Sequence, residues 1–183
     1  MKIGIIGTGN MGRIVVEALI VGKVISPSSM MITNRTKSKA LLLKDKYREI
    51  RVVANAEIVA AESDLVFICV KPLDVYKILD RINPFLSAEK CLVSITSPIR
   101  TSQIENIVSC SVVRVIPSIT NRALSGVSLI TYGKKCSDHW RTKVDKIVSK
   151  ISVPVPIDEK ITRVASDIVS CGPAFFSYLL QRF

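Results

Sequence analysis

The sequence predicts an α/β fold: a doubly wound, mostly parallel β-sheet covered by helices on both faces. Three observations predict it. Short apolar runs alternate with helical periodicity along the 183 residues, the pattern of repeated strand–helix–strand crossovers. The first run, Lys2-Ile3-Gly4-Ile5-Ile6, leads straight into G-x-G-x-x-G at Gly7, Gly9 and Gly12, and an apolar-periodic helix follows. That order is the context of a dinucleotide-binding turn and of a Rossmann-type sheet. Third, the chain is 48% apolar, yet no apolar run approaches the ~20 residues that a membrane-spanning helix needs.

Strands are expected at 2–7, 30–34, 51–53, 64–70, 91–95, 111–116, 126–131 and 152–156. Helices are expected at about 11–21, 37–48, 72–82, 101–107 and 137–150. Gly22 follows the first helix, where a C′ glycine closes it. Ser26-Pro27-Ser28-Ser29 is a loop. Leu65-Val66-Phe67-Ile68-Cys69-Val70 is an apolar run among the longest in the chain, and Pro72 suits the first position of the helix after it. Val153-Pro154-Val155-Pro156 fits only an edge strand, because its prolines lack ladder donors. Residues 1–157 therefore read as a dinucleotide-binding domain. Beyond Ile157 the pattern turns helical: one stretch over 158–170, an interruption at Cys171-Gly172-Pro173, and a second apolar helix from Pro173. Phe175, Phe176, Tyr178, Leu179, Leu180 and Phe183 make that helix apolar on several sides, so it calls for a partner. Residues 158–183 read as the start of a truncated helical domain, or as a helix buried in an oligomer.

Composition narrows the function classes. Met1 leads directly into a strand, leaving no room for a signal peptide. The five cysteines are scattered, without C-x-x-C spacing, and three lie in apolar stretches. That suits a reducing cytoplasm and argues against a disulfide framework or a metal site. His139 is the single histidine, which excludes histidine-rich metal sites and Ser-His triads. The net charge of +11 is spread among acidic residues. It reads as a solvated basic surface that attracts a polyanionic cofactor, not as a nucleic-acid or membrane interface.

In the turn, Gly7 permits the tight bend, Gly9 admits a pyrophosphate against the backbone, and Gly12 lets helix and strand pack closely. Thr8, Asn10 and Met11 complete the loop whose N–H groups face the anion. The second strand ends in Asn34-Arg35-Thr36, without the acid that holds an NAD ribose. Arg35 can grip a 2′-phosphate bidentately, and Thr36 can cap the next helix or donate to the same phosphate. Lys37 and Lys39 oppose the dipole of that helix unless an anion is present. The cofactor expected is NADP(H). Val70, Lys71 and Pro72 end the fourth strand on the carboxyl edge of the sheet, beside the nicotinamide half. Lys71 reads either as a ribose or substrate ligand or as a surface lysine. Thr96-Ser97-Pro98, after the next strand, supplies hydroxyls or a simple turn. Ser170, Cys171, Gly172 and Pro173 form a candidate carboxylate site at a helix N-terminus, with Cys171 read as packing. No catalytic side chain is assigned.

These residues together resemble the pyrroline-5-carboxylate reductase family, and Val70 through Tyr76, Ser94 through Pro98 and Arg114 through Gly126 look more closely like its late-competence, ComER-like branch. The segments that carry the resemblance are Ile3 to Gly12, Asn34-Arg35-Thr36, Asn55, Val70-Lys71-Pro72, Arg114-Val115-Ile116-Pro117, Gly126 and Gly172-Pro173-Ala174-Phe175. The resemblance adds Asn55 to the cofactor set and Pro117 and Ser118 to the substrate set. It implies that the helical end belongs to a domain interlocking two subunits, so the full-length protein is expected to be a homodimer or higher oligomer. The present chain is expected to be monomeric or weakly associated, and inactive alone. Thr96-Ser97-Pro98 stands where the reductases have Ala-Ala-Gly, Pro117-Ser118-Ile119-Thr120 where they have Pro-Asn-Thr-Pro, and Val169-Ser170-Cys171 where they have Ser-Gly-Ser.

The leading expectation is NADPH-dependent reduction of a cyclic imino acid, pyrroline-5-carboxylate, to L-proline. One alternative is a non-catalytic NADP(H)-binding protein serving competence, sporulation or biofilm regulation. Another is a hydroxy-acid dehydrogenase, a class that carries a lysine on its second domain. Lys160 is the single lysine beyond Lys150.

Overall fold

A computed structural model describes residues 1–183. The strands are β1 (Ile3–Ile6), β2 (Met30–Thr33), β3 (Arg51–Val52), β4 (Leu65–Ile68), β5 (Cys91–Ser94), β6 (Ser111–Ile116), β7 (Val127–Tyr132) and β8 (Val153–Pro156). The helices are α1 (Asn10–Val21), α2 (Lys37–Lys46), α3 (Ala56–Glu62), α4 (Pro72–Ile82), α5 (Thr101–Glu105), α6 (Asp138–Val148), α7 (Thr162–Ser166) and α8 (Gly172–Leu180). The sheet order is β3-β2-β1-β4-β5-β6-β7-β8. All pairings are parallel except β6 with β7. The doubly wound, mostly parallel architecture is the one expected.

Alternation along each strand sends its side chains to two cores. Leu65 and Phe67 join Ile3, Ile5, Leu19, Val144 and Ile147 on the face covered by α1, α2 and α6. Val66 and Ile68 join Val59, Val75, Leu79 and Ile104 on the face covered by α3, α4 and α5. Gly4 is shaped by this packing: a Cβ there would strike the Val59 side chain and lie 2.6 Å from Ser63 Oγ.

Four details depart from expectation. Helix α3 is missing from the sequence reading, because seven residues carry too short an amphipathic pattern to register. Asn55 caps it, its Oδ1 accepting from Ile58 N at 3.0 Å. Gly22 is not the left-handed residue after α1. Its φ is −71°, and Lys23 takes the positive φ of 52°. Lys23 N donates to Ile20 O at 3.0 Å and Val24 N to Leu19 O at 2.9 Å, a complete Schellman motif. Glycine at 22 answers a close approach instead: a Cβ would lie 2.9 Å from both Ala18 O and Lys150 O.

The Gly172-Pro173 pair does not interrupt the C-terminal helix. The chain runs from α7 through one π-turn, Asp167–Cys171, directly into α8. The wider turn accommodates Pro173, which has no N–H to donate and whose ring crowds the preceding turn. Finally, Cys136 joins Cys69, Cys91 and Cys110 as a fourth buried cysteine, whereas Cys171, read as packing, is exposed. The edge strand β8 is as expected. Val153 N donates to Gly126 O, just before β7, and Ile157 N to Ile130 O of β7, both at 2.8 Å, so Pro154 and Pro156 fall on the side that needs no donor. No helix is long and apolar enough to cross a membrane.

Candidate functional site

The strand order reverses between β1 and β4, and in such sheets ligands lie outside the carboxyl ends of the strands at that crevice. Register places the expected residues along this edge. Ile6 pairs with Thr33 and Ile68, and Ile68 with Ser94. Gly7, Asn34, Cys69 and Ile95 therefore follow in a row, with Val70, Lys71 and Thr96 just beyond.

The three glycines of the turn have three distinct surroundings. Gly7 has φ +98°, and a Cβ on it would lie 2.5 Å from Cys69 O. At Gly12 a Cβ would strike Gly7 O and approach Cys69 Cβ to 3.0 Å. Around Gly9, by contrast, there is nothing within 4 Å. Gly9 opens α1 with no side-chain cap, and α1 has no acid in its first turn. Its first N–H groups face open space with a positive helix end behind them. Thr8 Oγ1 is buried with no hydrogen-bond partner. An open cradle, an uncapped helix and an orphan hydroxyl fit a pyrophosphate.

The ribose-phosphate end is built on Asn34. Its Oδ1 accepts from Thr8 N at 2.8 Å, and its Nδ2 donates to Thr36 O at 2.9 Å. Asn34 thus spends its side chain on tying the glycine turn to the next loop. Thr36 occupies the cap position of α2 but makes no capping hydrogen bond, contrary to expectation. The helix start is left open, flanked by exposed Lys37 and Lys39 with no acid in its first turn. The Arg35 side chain is 86% exposed, and its one ionic contact is Asp74 at 3.9 Å. A pair that long and exposed contributes little, so the guanidinium stands free for an anion.

On the nicotinamide side, Lys71 is exposed at the cap position of α4, with Pro72 in the first turn as expected. Val70 is half-buried against the core of that face. Thr96 is buried, and its hydroxyl pairs with Ser94 Oγ at 2.8 Å. Pro117 and Ser118 are buried beyond β6. Ser118 Oγ receives Thr120 N at 3.4 Å, and Ser118 N donates to Asn121 Oδ1 at 2.8 Å. This serine is committed to its loop, with buried Asn121 as the anchor.

The candidate carboxylate site at 170–173 does not form as expected. Because the helix is continuous, Gly172 N is already bonded to Asp167 O, and no free helix end faces outward. α8 makes no extensive contact with the α/β domain, and Phe175, Phe176 and Leu180 are exposed. Sequence reasoning also missed two polar centres. Arg114, matched only by resemblance, is buried in β6 and bonded to four oxygens. Glu17, buried in α1, meets three cations. A charged residue inside the apolar run Val112-Val113-Arg114-Val115-Ile116 was a signal available for the first.

Comparison with known proteins agrees with this geometry. A family model described as NADP oxidoreductase, coenzyme F420-dependent, matches residues 2–98. ComE operon protein 4 of Bacillus subtilis is 55% identical over 183 residues, spanning 100% of this chain and 67% of that protein. The pyrroline-5-carboxylate reductase of Methanobrevibacter smithii is 30% identical, spanning 100% of this chain and 74% of that protein. The chain belongs to the pyrroline-5-carboxylate reductase family. That family's members are NAD(P)-dependent oxidoreductases. The fold matches Plasmodium falciparum pyrroline carboxylate reductase with NADP bound at a TM-score of 0.88 and 22% identity, over 100% of this chain and 67% of that one. The Coxiella burnetii pyrroline-5-carboxylate reductase gives a TM-score of 0.89 at 20% identity, over 99% of this chain and 68% of that one. The chain thus spans about two thirds of the length of these family members.

Proposed function

We propose that the chain binds NADP(H) across the β1–β4 crevice and, within a longer family protein, reduces a cyclic imino acid, pyrroline-5-carboxylate, to L-proline. The observation that carries the cofactor reading is the contrast among the glycines: Gly7 and Gly12 are closed by neighbouring atoms, while Gly9 faces empty space. In this reading Gly9, Asn10, Met11 and Gly12 present N–H groups to the pyrophosphate, and Thr8 Oγ1 gains the partner it lacks. Arg35 and Thr36, with the open start of α2, hold the 2′-phosphate, and Asn34 sets their spacing. Asn55 has its Oδ1 engaged as a cap, leaving its amide N–H groups for the adenosine side. Val70, Lys71, Pro72 and Thr96 line the nicotinamide end.

The bound cofactor would supply a hydride to the imine carbon, and the C=N electron pair would pass to the nitrogen. The work of the chain is positioning. A protonated imine needs no general acid, which agrees with an edge that carries no histidine. Residues beyond this chain are expected to complete the substrate pocket, in a homodimer or larger oligomer.

A second reading, NADP(H) binding without turnover in a regulatory role, is favoured by the 55% identity to ComE operon protein 4. The altered loops at Thr96-Ser97-Pro98 and Pro117-Ser118 support it too. The test is a protein extended through the helical domain, followed by NADPH absorbance with pyrroline-5-carboxylate and with NADH as control. Substrate-dependent oxidation of NADPH establishes the reductase. Tight NADPH binding without oxidation transfers the assignment to the regulatory reading, and failure to bind NADPH removes both.

A further inference from the structure

Arg114 lies in an interior strand and is 1% exposed. All its hydrogen bonds go to neutral oxygens. Nη1 donates to Ser97 O at 3.2 Å and Ile99 O at 3.3 Å. Nη2 donates to Thr131 Oγ1 at 3.2 Å and Thr162 Oγ1 at 2.5 Å. A cation buried among neutral acceptors is costly, and an apolar side chain would fill the strand without that cost. What an apolar side chain cannot do is hold four oxygens from three parts of the chain in one rigid plane.

Those parts are informative. Ser97 and Ile99 belong to the loop between β5 and α5, which begins at Ile95 on the carboxyl edge of the sheet and carries Thr96. Thr162 opens α7. The same two segments meet again beside the guanidinium, where Glu159 Oε1 accepts from both Thr101 N and Thr101 Oγ1 at 2.7 Å. The start of the C-terminal helical run is therefore tied to this region twice, through Arg114 to the β5–α5 loop and through Glu159 to Thr101 at the start of α5, and that loop leads to the crevice.

We propose that Arg114 is a positioning residue that couples the C-terminal helical segment to the nicotinamide-end loop. A displacement of Thr162 moves the guanidinium plane, and with it the carbonyls that hold Ser97 to Ile99 and set Thr96. The nicotinamide part of this statement rests on the NADP(H) reading above.

The decisive variant is Thr162→Val, which keeps the shape of the side chain and removes the oxygen that Nη2 reaches. Thr162→Ser restores that oxygen. Binding of NADPH and of 2′-phospho-ADP-ribose, which lacks nicotinamide, is compared with hydrogen exchange of peptides spanning 95–100 and 159–166. Thr162→Val is expected to weaken NADPH about five-fold, a modest coupling, and to leave 2′-phospho-ADP-ribose within about two-fold. Exchange is expected to rise in both peptides together, and Thr162→Ser to behave as wild type. Equal weakening of the two ligands, or faster exchange confined to 159–166, would overturn the coupling. If the wild-type chain binds neither ligand, the cofactor reading fails and the exchange measurement alone decides. Arg114→Lys, which keeps the charge and loses the fork, is expected to match Thr162→Val where it folds.

Discussion

Asn34 Oδ1 accepts the Thr8 N–H at 2.8 Å, joining the glycine turn after β1 to the loop after β2. The same amide donates to Thr36 O at 2.9 Å, so one side chain sets the distance between the two expected phosphate positions. Asn34→Ala leaves Thr8 N without its partner at the turn. The expected cost is about 1 kcal/mol of stability, with NADPH affinity falling about ten-fold because both cradles lose registration. Chemical denaturation and fluorescence titration check the two effects separately. A stability loss with unchanged NADPH affinity would make Asn34 a structural tie only.

Arg35 tests cofactor choice. Its guanidinium is exposed and only loosely engaged by Asp74, so Arg35→Ala is expected to change stability by less than ~0.5 kcal/mol. The loss should fall on NADPH, by about ten-fold or more through a lost charge-assisted pair, while NADH is unaffected. The ratio of the two dissociation constants is the measurement. Parallel weakening of both cofactors would place the 2′-phosphate elsewhere.

How much of this was legible in the sequence depended on range. The strands of the sheet and the glycine turn could be read because period, punctuation and motif are local. Asn34 and Arg35 could be placed because strand ends share one edge. The absence of a capping bond from Thr36 could not be read, since residue type alone does not set the orientation of its hydroxyl. Nor could the continuity at Gly172-Pro173, which turns on a π-turn that composition does not announce. Glu17 went unread, and Arg114 was matched without its role, for a related reason. Among their partners, Lys46 lies 29 residues from Glu17 and Thr162 lies 48 from Arg114, and buried charge is intelligible only once such distant partners are known.

Two glycines in one motif are predicted to fail in opposite ways. Gly9→Ala adds a methyl group where nothing lies within 4 Å, so stability is expected to hold within ~0.5 kcal/mol. The same methyl group occupies the space assigned to pyrophosphate, and NADPH affinity should fall at least ten-fold. Gly12→Ala drives its Cβ into Gly7 O and toward Cys69, where backbone cannot yield. About 2–3 kcal/mol of destabilisation is expected from overpacking, seen as a lowered melting temperature before any ligand is added. A Gly9→Ala protein that binds NADPH normally would remove the turn from the cofactor site.

Glu17 provides the pH test. Its side chain is buried in α1, and its carboxylate meets Arg13 at 3.3 Å, Lys46 at 3.0 Å and Arg122 at 3.1 Å. Arg122 lies in the 3₁₀ turn Ile119–Ala123, so this carboxylate clamps α2 and the loop after β6 onto the cofactor helix. Burial alone would raise the carboxyl pKa, but the hydrogen bonds from Lys46 and Arg13 outweigh it and hold the value below the ordinary 4.5. A depressed folded value means that the carboxylate contributes its full stability above the unfolded pKa and loses it as pH falls through the folded one. Wild type should therefore weaken below about pH 4.5. Glu17→Gln removes the charge while keeping the shape, leaving three cations facing an amide. Because those cations are half-exposed, about 2 kcal/mol is expected at pH 7 rather than the larger cost of a fully buried pair. The difference between the two proteins should be smaller at pH 3 than at pH 7, because wild type takes up its proton as pH falls through the depressed folded value. Urea melts at both pH values measure it. A difference that persists unchanged at pH 3 would mean that shape and packing at position 17, not its charge, hold the three elements together.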